Sequence, residues 1–191
     1  MILKNHFDND VELHSFEIYS HDDKLKEQYF RWLDDLEVTI LISSNDLILP
    51  KNYTYIENSF ERFTTKNCIG FFIKHNPSDK IVGTAKLDQI SYYNRSGWDG
   101  IMIGEKDMQG KGIGTKVYKI LLSYGFSVIG LHKIMGGCNE NNTPMIKIFE
   151  RLGYKREGIF RKTDYINGEY SDHIIFGIFK DEFNSNKIKI L

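Results

Sequence analysis

Apolar residues along this chain recur at two different spacings, and the switches between them predict its order of elements. Residues 11–16 read as a first strand. Asp22 and Asp23 then supply a helix start, followed by an apolar face of Leu25, Tyr29, Trp32 and Leu33 at helical intervals. A second helix is predicted after Pro50, with Ile56, Phe60 and Phe63 inward and Glu57, Glu61 and Arg62 outward. Strands over 69–74 and 81–87 flank the turn-rich stretch from His75 to Lys80, the pattern of an antiparallel hairpin, and a further strand covers 98–104. Helical spacing returns with Ile113, Val117, Ile120, Leu121 and Tyr124. A strand over 133–137 is followed by a short helix over 144–152, which opens on Pro144, suited to a first turn, and stops at Gly153. Strands over 154–160 and 173–180 close the chain, joined through Asn167-Gly168, a tight-turn pair. The expectation is an α/β (α+β) domain, one mixed sheet with about four helices.

Composition adds limits to that picture. The 191 residues suit one domain, and no repeat, low-complexity tract or linker divides residues 1–191. Lysine and arginine number 25 against 26 acidic residues, so no basic footprint for nucleic acid or an anionic membrane is present, and a small-molecule or protein substrate is expected. Cys68 and Cys138 stand far apart, and the six histidines show no metal spacing, so no metal is expected and His14, His75, His132 and His173 read as packing or surface residues. With no apolar leader and no run of about 18 apolar residues, a cytoplasmic location is expected.

The chemistry concentrates where the strand ending near Gly104 gives way to the helix beginning near Gly112. Helix N-termini present unpaired amides and a partial positive charge, so a phosphate can bind there by backbone alone if side chains stay clear. Gly110, Gly112 and Gly114 would keep them clear. Lys111 lies between the glycines and not after the last, which excludes a Walker loop. Counting Gly-x-Gly-x-x-Gly from Gly110 or Gly112 lands on Thr115 or Val117, which excludes the dinucleotide fingerprint.

Gln109-Gly110-Lys111-Gly112-Ile113-Gly114 instead resembles the Gln/Arg-x-x-Gly-x-Gly/Ala pyrophosphate loop of the GNAT superfamily of N-acetyltransferases. Downstream, the stretch from Asn142 to Tyr154 resembles that superfamily's Asn-x-x-Ala-x-x-x-Tyr-x-x-Leu-Gly-Phe. Two further stretches, Trp32 to Thr39 and Ile101 to Lys106, resemble the branch that includes ribosomal-protein and spermidine acetyltransferases, so the likeness covers about residues 11–183. It implies a GNAT-like six- to seven-stranded sheet splayed in the middle. It implies acetyl-CoA in the cleft, held by backbone amides of Met102, Ile103 and Gly104, by the loop Gln109, Gly110, Lys111, Gly112, Ile113, Gly114 and Thr115, and beside Asn142 and Phe149. Asn142 equally suits a helix cap.

Transfer of acetyl to a primary amine is the implied activity, on a protein N-terminus, a polyamine, an antibiotic amine or an aminosugar on a nucleotide carrier. A homodimer is compatible with the likeness. The chain departs from the family's pattern at two places. Phenylalanine at 149 stands where members often carry a tyrosine that protonates the departing sulfur, and Trp98 stands where glutamate is frequent. Asp99 and Glu105 are the nearest carboxylates in sequence and the base candidates, with a solvated surface charge as the alternative for each. The two departures also leave open a CoA-binding sensor without catalysis. Tyr53, Tyr55, Phe60 and Phe63 are candidates for an acceptor pocket or for core.

Overall fold

The structure is a computed structural model that describes residues 1–5, 9–40, 42 and 52–183, with the backbone of 188–190. Five α-helices are present among the described residues: α1 (Asp23–Asp34), α2 (Leu36–Thr39), α3 (Tyr53–Arg62), α4 (Ile113–Tyr124) and α5 (Thr143–Leu152). The strands are β1 (Ile2–Asn5), β2 (Val11–Ser15), β3 (Thr64–Thr65), β4 (Cys68–His75), β5 (Lys80–Ser91), β6 (Ser96–Ile103), β7 (Lys133–Asn139), β8 (Lys155–Ile166), β9 (Glu169–Phe179) and β10 (Ile188–Ile190). They form one mixed sheet in the order β10-β1-β2-β4-β5-β6-β7-β9-β8, with β3 paired to β4.

All seven expected strands are present. The count rises to ten because β1 and β10 extend the sheet beyond residues 11–183, and because the two-residue β3 is too short to show a period. Four helices of ten residues or more match the expected four, and α2 is a single added turn. Pro50 lies outside the described residues; α3 opens on Asn52, whose side chain accepts from the Tyr55 amide at 2.9 Å. The Asp22 carboxylate caps α1 in the same way, at 3.0 Å from the Leu25 amide.

Strand alternation divides the interior into two cores. Phe71 faces one core with Val117 and Leu121 of α4 and Phe149 of α5, while its neighbour Phe72 faces the other with Tyr29 and Trp32 of α1 and Phe60 of α3. The second core is aromatic, with Phe16 stacked on Phe72 at 4.1 Å between ring centroids. On β6 the same alternation sends Ile101 and Ile103 to the α4/α5 face and Met102 to the α1/α3 face. Both faces are therefore covered, and a ligand reaching the middle of the sheet needs an opening between strands.

That opening lies between β6 and β7. Their pairing is parallel, unlike every other pairing among the described residues, and it holds for three steps: Ser96 with Lys133, Gly97 with Ile134, Trp98 with Met135. Beyond Trp98 the two strands separate, although β6 runs on to Ile103 and β7 to Asn139. The expected central splay is present.

Candidate active site

Past Trp98, one edge of β6 has no strand beside it. Gly104 donates its amide to the Val82 carbonyl at 2.9 Å, which fixes the phase of the β5–β6 ladder. Antiparallel pairing turns successive residues' polar groups to opposite sides, so Met102 and Gly104 address β5 while Ile101 and Ile103 address the gap. Of the three amides the family likeness singles out, Ile103 is at the gap; Ile101, which sequence reasoning missed, joins it. The Ile103 carbonyl accepts from the Gln109 side chain at 3.0 Å, so Gln109 ties the glycine turn to the strand edge. Gly104 has a further steric reason to be glycine, since a Cβ there would lie 2.1 Å from the Trp32 ring.

The turn itself is built for close approach. Gly110 (φ +72°) and Gly112 (φ +79°) both sit in the left-handed region, and a Cβ at either would meet nothing within 4 Å. Gly112 is the N-cap of α4 and no side chain caps that end, which leaves the first-turn amides facing outward. Gly114 differs from the other two: a Cβ there would lie 2.9 Å from Ile148, so it serves the α4–α5 contact. Ile113 is core, Thr115 is half-buried, and the Lys111 ammonium lies 3.8 Å from the Met108 sulfur. Across the gap, Asn142 caps α5, its side chain accepting from the Met145 amide at 3.2 Å, and it also lines the central cavity.

Asp99 is no surface charge. It is buried, with Oδ1 accepting from the Tyr118 hydroxyl at 3.2 Å and Oδ2 from the Tyr154 hydroxyl. Burial pushes its carboxyl up to about 7, with the two tyrosine hydrogen bonds pulling the other way. Both phenols are pushed up in turn by burial and by the carboxylate beside them. Phe149 packs against this cluster, 4.8 Å from the Tyr154 ring and 5.7 Å from Tyr118, so the place without a hydroxyl at 149 is flanked by two residues that have one. Nothing in local sequence pattern signals the cluster, because the tyrosines are 19 and 55 residues from Asp99.

Glu105 lies elsewhere. Its Oε1 accepts from the Gln28 side chain at 2.8 Å and the Trp32 indole at 3.0 Å, fastening α1 to the end of β6. The two base candidates are thus separated: Asp99 lines the central cavity and Glu105 a shallow hollow beside Trp32 and Lys106.

The central cavity, of about 440 Å³, runs through the gap, lined by Tyr29, Tyr55 and Arg62 on the α1/α3 side and by Asp99, Tyr118 and Met145 on the other. Tyr55 and Phe63 line it, whereas Phe60 is core and Tyr53 is exposed, so the aromatic group splits between the two expected roles. Asp88 also lines it, between Arg62 Nη2 at 2.6 Å and Lys86 Nζ at 2.8 Å. Burial opposes its charge, but Lys86, the Gln89 amide and the Cys68 thiol hold it down at about 2. His173, read from sequence as packing or surface, reaches the cavity from β9, its Nδ1 3.0 Å from Asp164 Oδ2. Of the other histidines, His14 bonds Glu12 and Tyr19, His75 bonds Ser78, and His132 packs on Phe179, all away from the cavity.

Known proteins resemble this chain in sequence and in fold. A model of the acetyltransferase (GNAT) domain matches residues 17–175. The chain is 34% identical over 103 residues to a probable N-acetyltransferase, YjcK, of Bacillus subtilis, covering 52% of this chain and 55% of that protein. It is 32% identical over 101 residues to the spermidine N(1)-acetyltransferase of Escherichia coli K12, covering 53% and 54%. These matches thus span about half the length of each relative. A spermidine N-acetyltransferase from Vibrio cholerae, solved in complex with CoA and spermine, superposes with a TM-score of 0.79 at 19% identity over 92% of this chain and 98% of that one, a likeness of fold.

Proposed function

The chain belongs to the acetyltransferase (GNAT) domain family, and from that premise we propose that it transfers acetyl from acetyl-CoA to a primary amine by direct attack. One observation carries the proposal: the sheet parts between β6 and β7 beside a glycine turn whose helix end is uncapped. The fit to acetyl-CoA rests on the same place. Gly110 and Gly112 leave open space where side chains would stand, and the first-turn amides of α4 suit a pyrophosphate. The amides at Ile101 and Ile103 suit the extended arm and the thioester oxygen, whose developing charge a backbone donor stabilises.

Bound acetyl-CoA supplies an acetyl thioester. The protein's own groups divide by face. Asp99 and its two tyrosines lie on the α4/α5 side, where burial raises the carboxyl to about 7, so that near neutral pH it holds a proton it can give up. Tyr118 lines the cavity and links that carboxyl to it. Phe149 cannot donate, and this pair stands beside it. Glu105 is committed to Gln28 and Trp32 and is assigned to positioning α1.

The acceptor enters from the α1/α3 side. Spermidine and spermine are named for relatives, but the cations Arg62 and Lys86 share this cavity with Asp88. Among the described residues no acidic run lines it, so an amine on a small molecule or a peptide with fewer positive charges suits it better. Copies of such a domain assemble in relatives, as in a dodecameric spermidine acetyltransferase from Vibrio cholerae, and a homodimer or larger assembly is proposed here too. The test is to incubate the protein with acetyl-CoA and a panel of amines and follow thiol release. Release that depends on an amine is expected. CoA that binds without transfer to any amine would point to the sensor, and a chain whose melting temperature CoA does not raise would sink the assignment of the cleft.

A further inference from the structure

The acceptor side of the gap holds a hydrogen-bonded histidine–aspartate pair that neither the family likeness nor the donor-side chemistry uses. His173 on β9 and Asp164 on β8 meet through Nδ1 and Oδ2 at 3.0 Å, both largely buried. Asp164 is held in place: Asn139, fully buried on β7, donates Nδ2 to the same Oδ2 at 2.9 Å and to Ser171 Oγ at 2.6 Å. Asn139 is itself fixed, its Oδ1 accepting from the Asn141 amide at 2.9 Å. A carboxylate only accepts, so Nδ1 carries the ring proton and Nε2 is the basic nitrogen.

Nε2 lies over Gly137. A Cβ on that residue would fall 2.5 Å from it, so glycine is what admits the ring. Gly137 is two residues beyond Met135, the last β7 residue in the parallel ladder, and therefore on the diverging limb of β7. Both Gly137 and His173 line the central cavity. The strand registers put His173 on the same face as its partner Asn139, the face opposite Ile174 and Cys138, which belong to the α4/α5 core. The imidazole is thus on the acceptor side of the sheet, across β7 from Asp99.

We propose that His173 is the general base that takes a proton from the incoming amine, and that Asp164 is the positioning residue that fixes its tautomer; this rests on the acetyltransfer reading. From an alkylammonium, one proton passes to Nε2. The freed lone pair forms the C–N bond to the acetyl carbon as the C–S bond breaks, its electron pair leaving on the CoA sulfur. Tyr118, backed by the Asp99 carboxyl, protonates that sulfur to give the thiol; the second N–H proton and the one on His173 go to water, from which the Asp99–Tyr118 pair regains its own. Asp164 from β8, with Gly137 and Asn139 from β7, faces the ring; Asp88, Arg62, Lys86 and Asp99 are the other charged cavity groups, and Tyr29, Tyr55, Tyr118 and Cys138 the remaining titratable ones.

Two measurements test this. In the first, nitrogen NMR of the wild-type ring at pH 8 should show the proton on Nδ1; a proton on Nε2 overturns the proposal whether or not a substrate is at hand. In the second, wild type, His173→Gln and Asp164→Asn are assayed with acetyl-CoA and spermine, glucosamine or a short peptide with a free N-terminus. His173→Gln should lower kcat by about 10²-fold or more, the scale of general base catalysis, with the KM for acetyl-CoA within about twofold. The acid limb of the wild-type kcat/KM profile should vanish in that variant, and Asp164→Asn should lose activity through kcat. A His173→Gln enzyme that keeps wild-type kcat and pH profile overturns the base alone. A wild type that binds CoA and acetylates none of the three acceptors overturns the acetyltransfer reading, and this one with it.

Discussion

Replacing Asp99 by asparagine should make the protein more stable at pH 8 than at pH 5 relative to wild type. The carboxyl is buried between two phenols and keeps its proton to about pH 7, against 3.8 in an unfolded chain. Its folded value is raised, so the stability it confers is complete below about pH 4 and is lost as pH rises through about 7. From pH 5 to pH 8 the linkage relation gives a loss of about 3 kcal/mol from this one group. Asparagine is neutral at both pH values and has no such loss. It keeps one acceptor for a tyrosine hydroxyl and turns its amide toward the other, a phenol oxygen that can accept, so the hydrogen-bond cost is about 1 kcal/mol and does not depend on pH. Urea unfolding of both proteins at pH 5 and pH 8 measures the difference between their two pH dependences, in which every other titrating group cancels. The expected value is about 3 kcal/mol in favour of the variant. Parallel stability profiles for the two proteins would refute the account of a buried, protonated Asp99.

Gly112→Asp should abolish CoA binding by calorimetry while the far-ultraviolet circular dichroism keeps its native shape, because the substitution sets a carboxylate at a proposed phosphate site; undiminished affinity would move the pyrophosphate elsewhere. Asn142→Ala removes the cap on the Met145 amide and should cost about 1 kcal/mol in denaturant unfolding. Gly136→Ala puts a methyl 2.4 Å from Asp99 Oδ1 and 2.8 Å from the Phe149 ring, and should destabilise the fold by about 1–3 kcal/mol, seen as a lower melting temperature.

Features with a local cause were legible in the sequence. Helical spacing marked α1, α3 and α4, Pro144 and Gly153 bounded α5, and Asn167-Gly168 marked the β8–β9 turn, where both residues have positive φ. The glycine turn was recognisable because phosphate loops differ in glycine spacing. Even so, spacing could not separate Gly110 and Gly112, which leave open space, from Gly114, which lets α5 approach. Alternation in a strand puts Trp98 and Asp99 on opposite faces, but which face is buried, and beside what, depends on Tyr118 and Tyr154 arriving from α4 and from the end of α5. His173 offered no signal either. Its partner is nine residues away across a hairpin whose register is shifted by an irregularity between Phe160 and Asp164, so neither pattern nor spacing brings the two together.

The two adjacent glycines of β7 tie these findings to one place. Alternation points any side chain at 136 toward the α4/α5 face and any at 137 toward the acceptor face. Asp99 and Phe149 occupy the first position, and the His173 ring occupies the second. Both glycines follow Met135, where β7 leaves β6, so the strand is bare on each face at the point where the sheet begins to open. A sheet held by regular pairing would keep its two faces apart, and a proton group on one could not serve a reaction begun on the other. Here a carboxyl that holds its proton and an imidazole with a fixed tautomer lie on opposite faces of the same two residues, with the gap between them. In the proposed reaction the splay is therefore more than a slot for a long ligand, because it would bring a donor-side acid and an acceptor-side base to one reacting centre without placing them in contact.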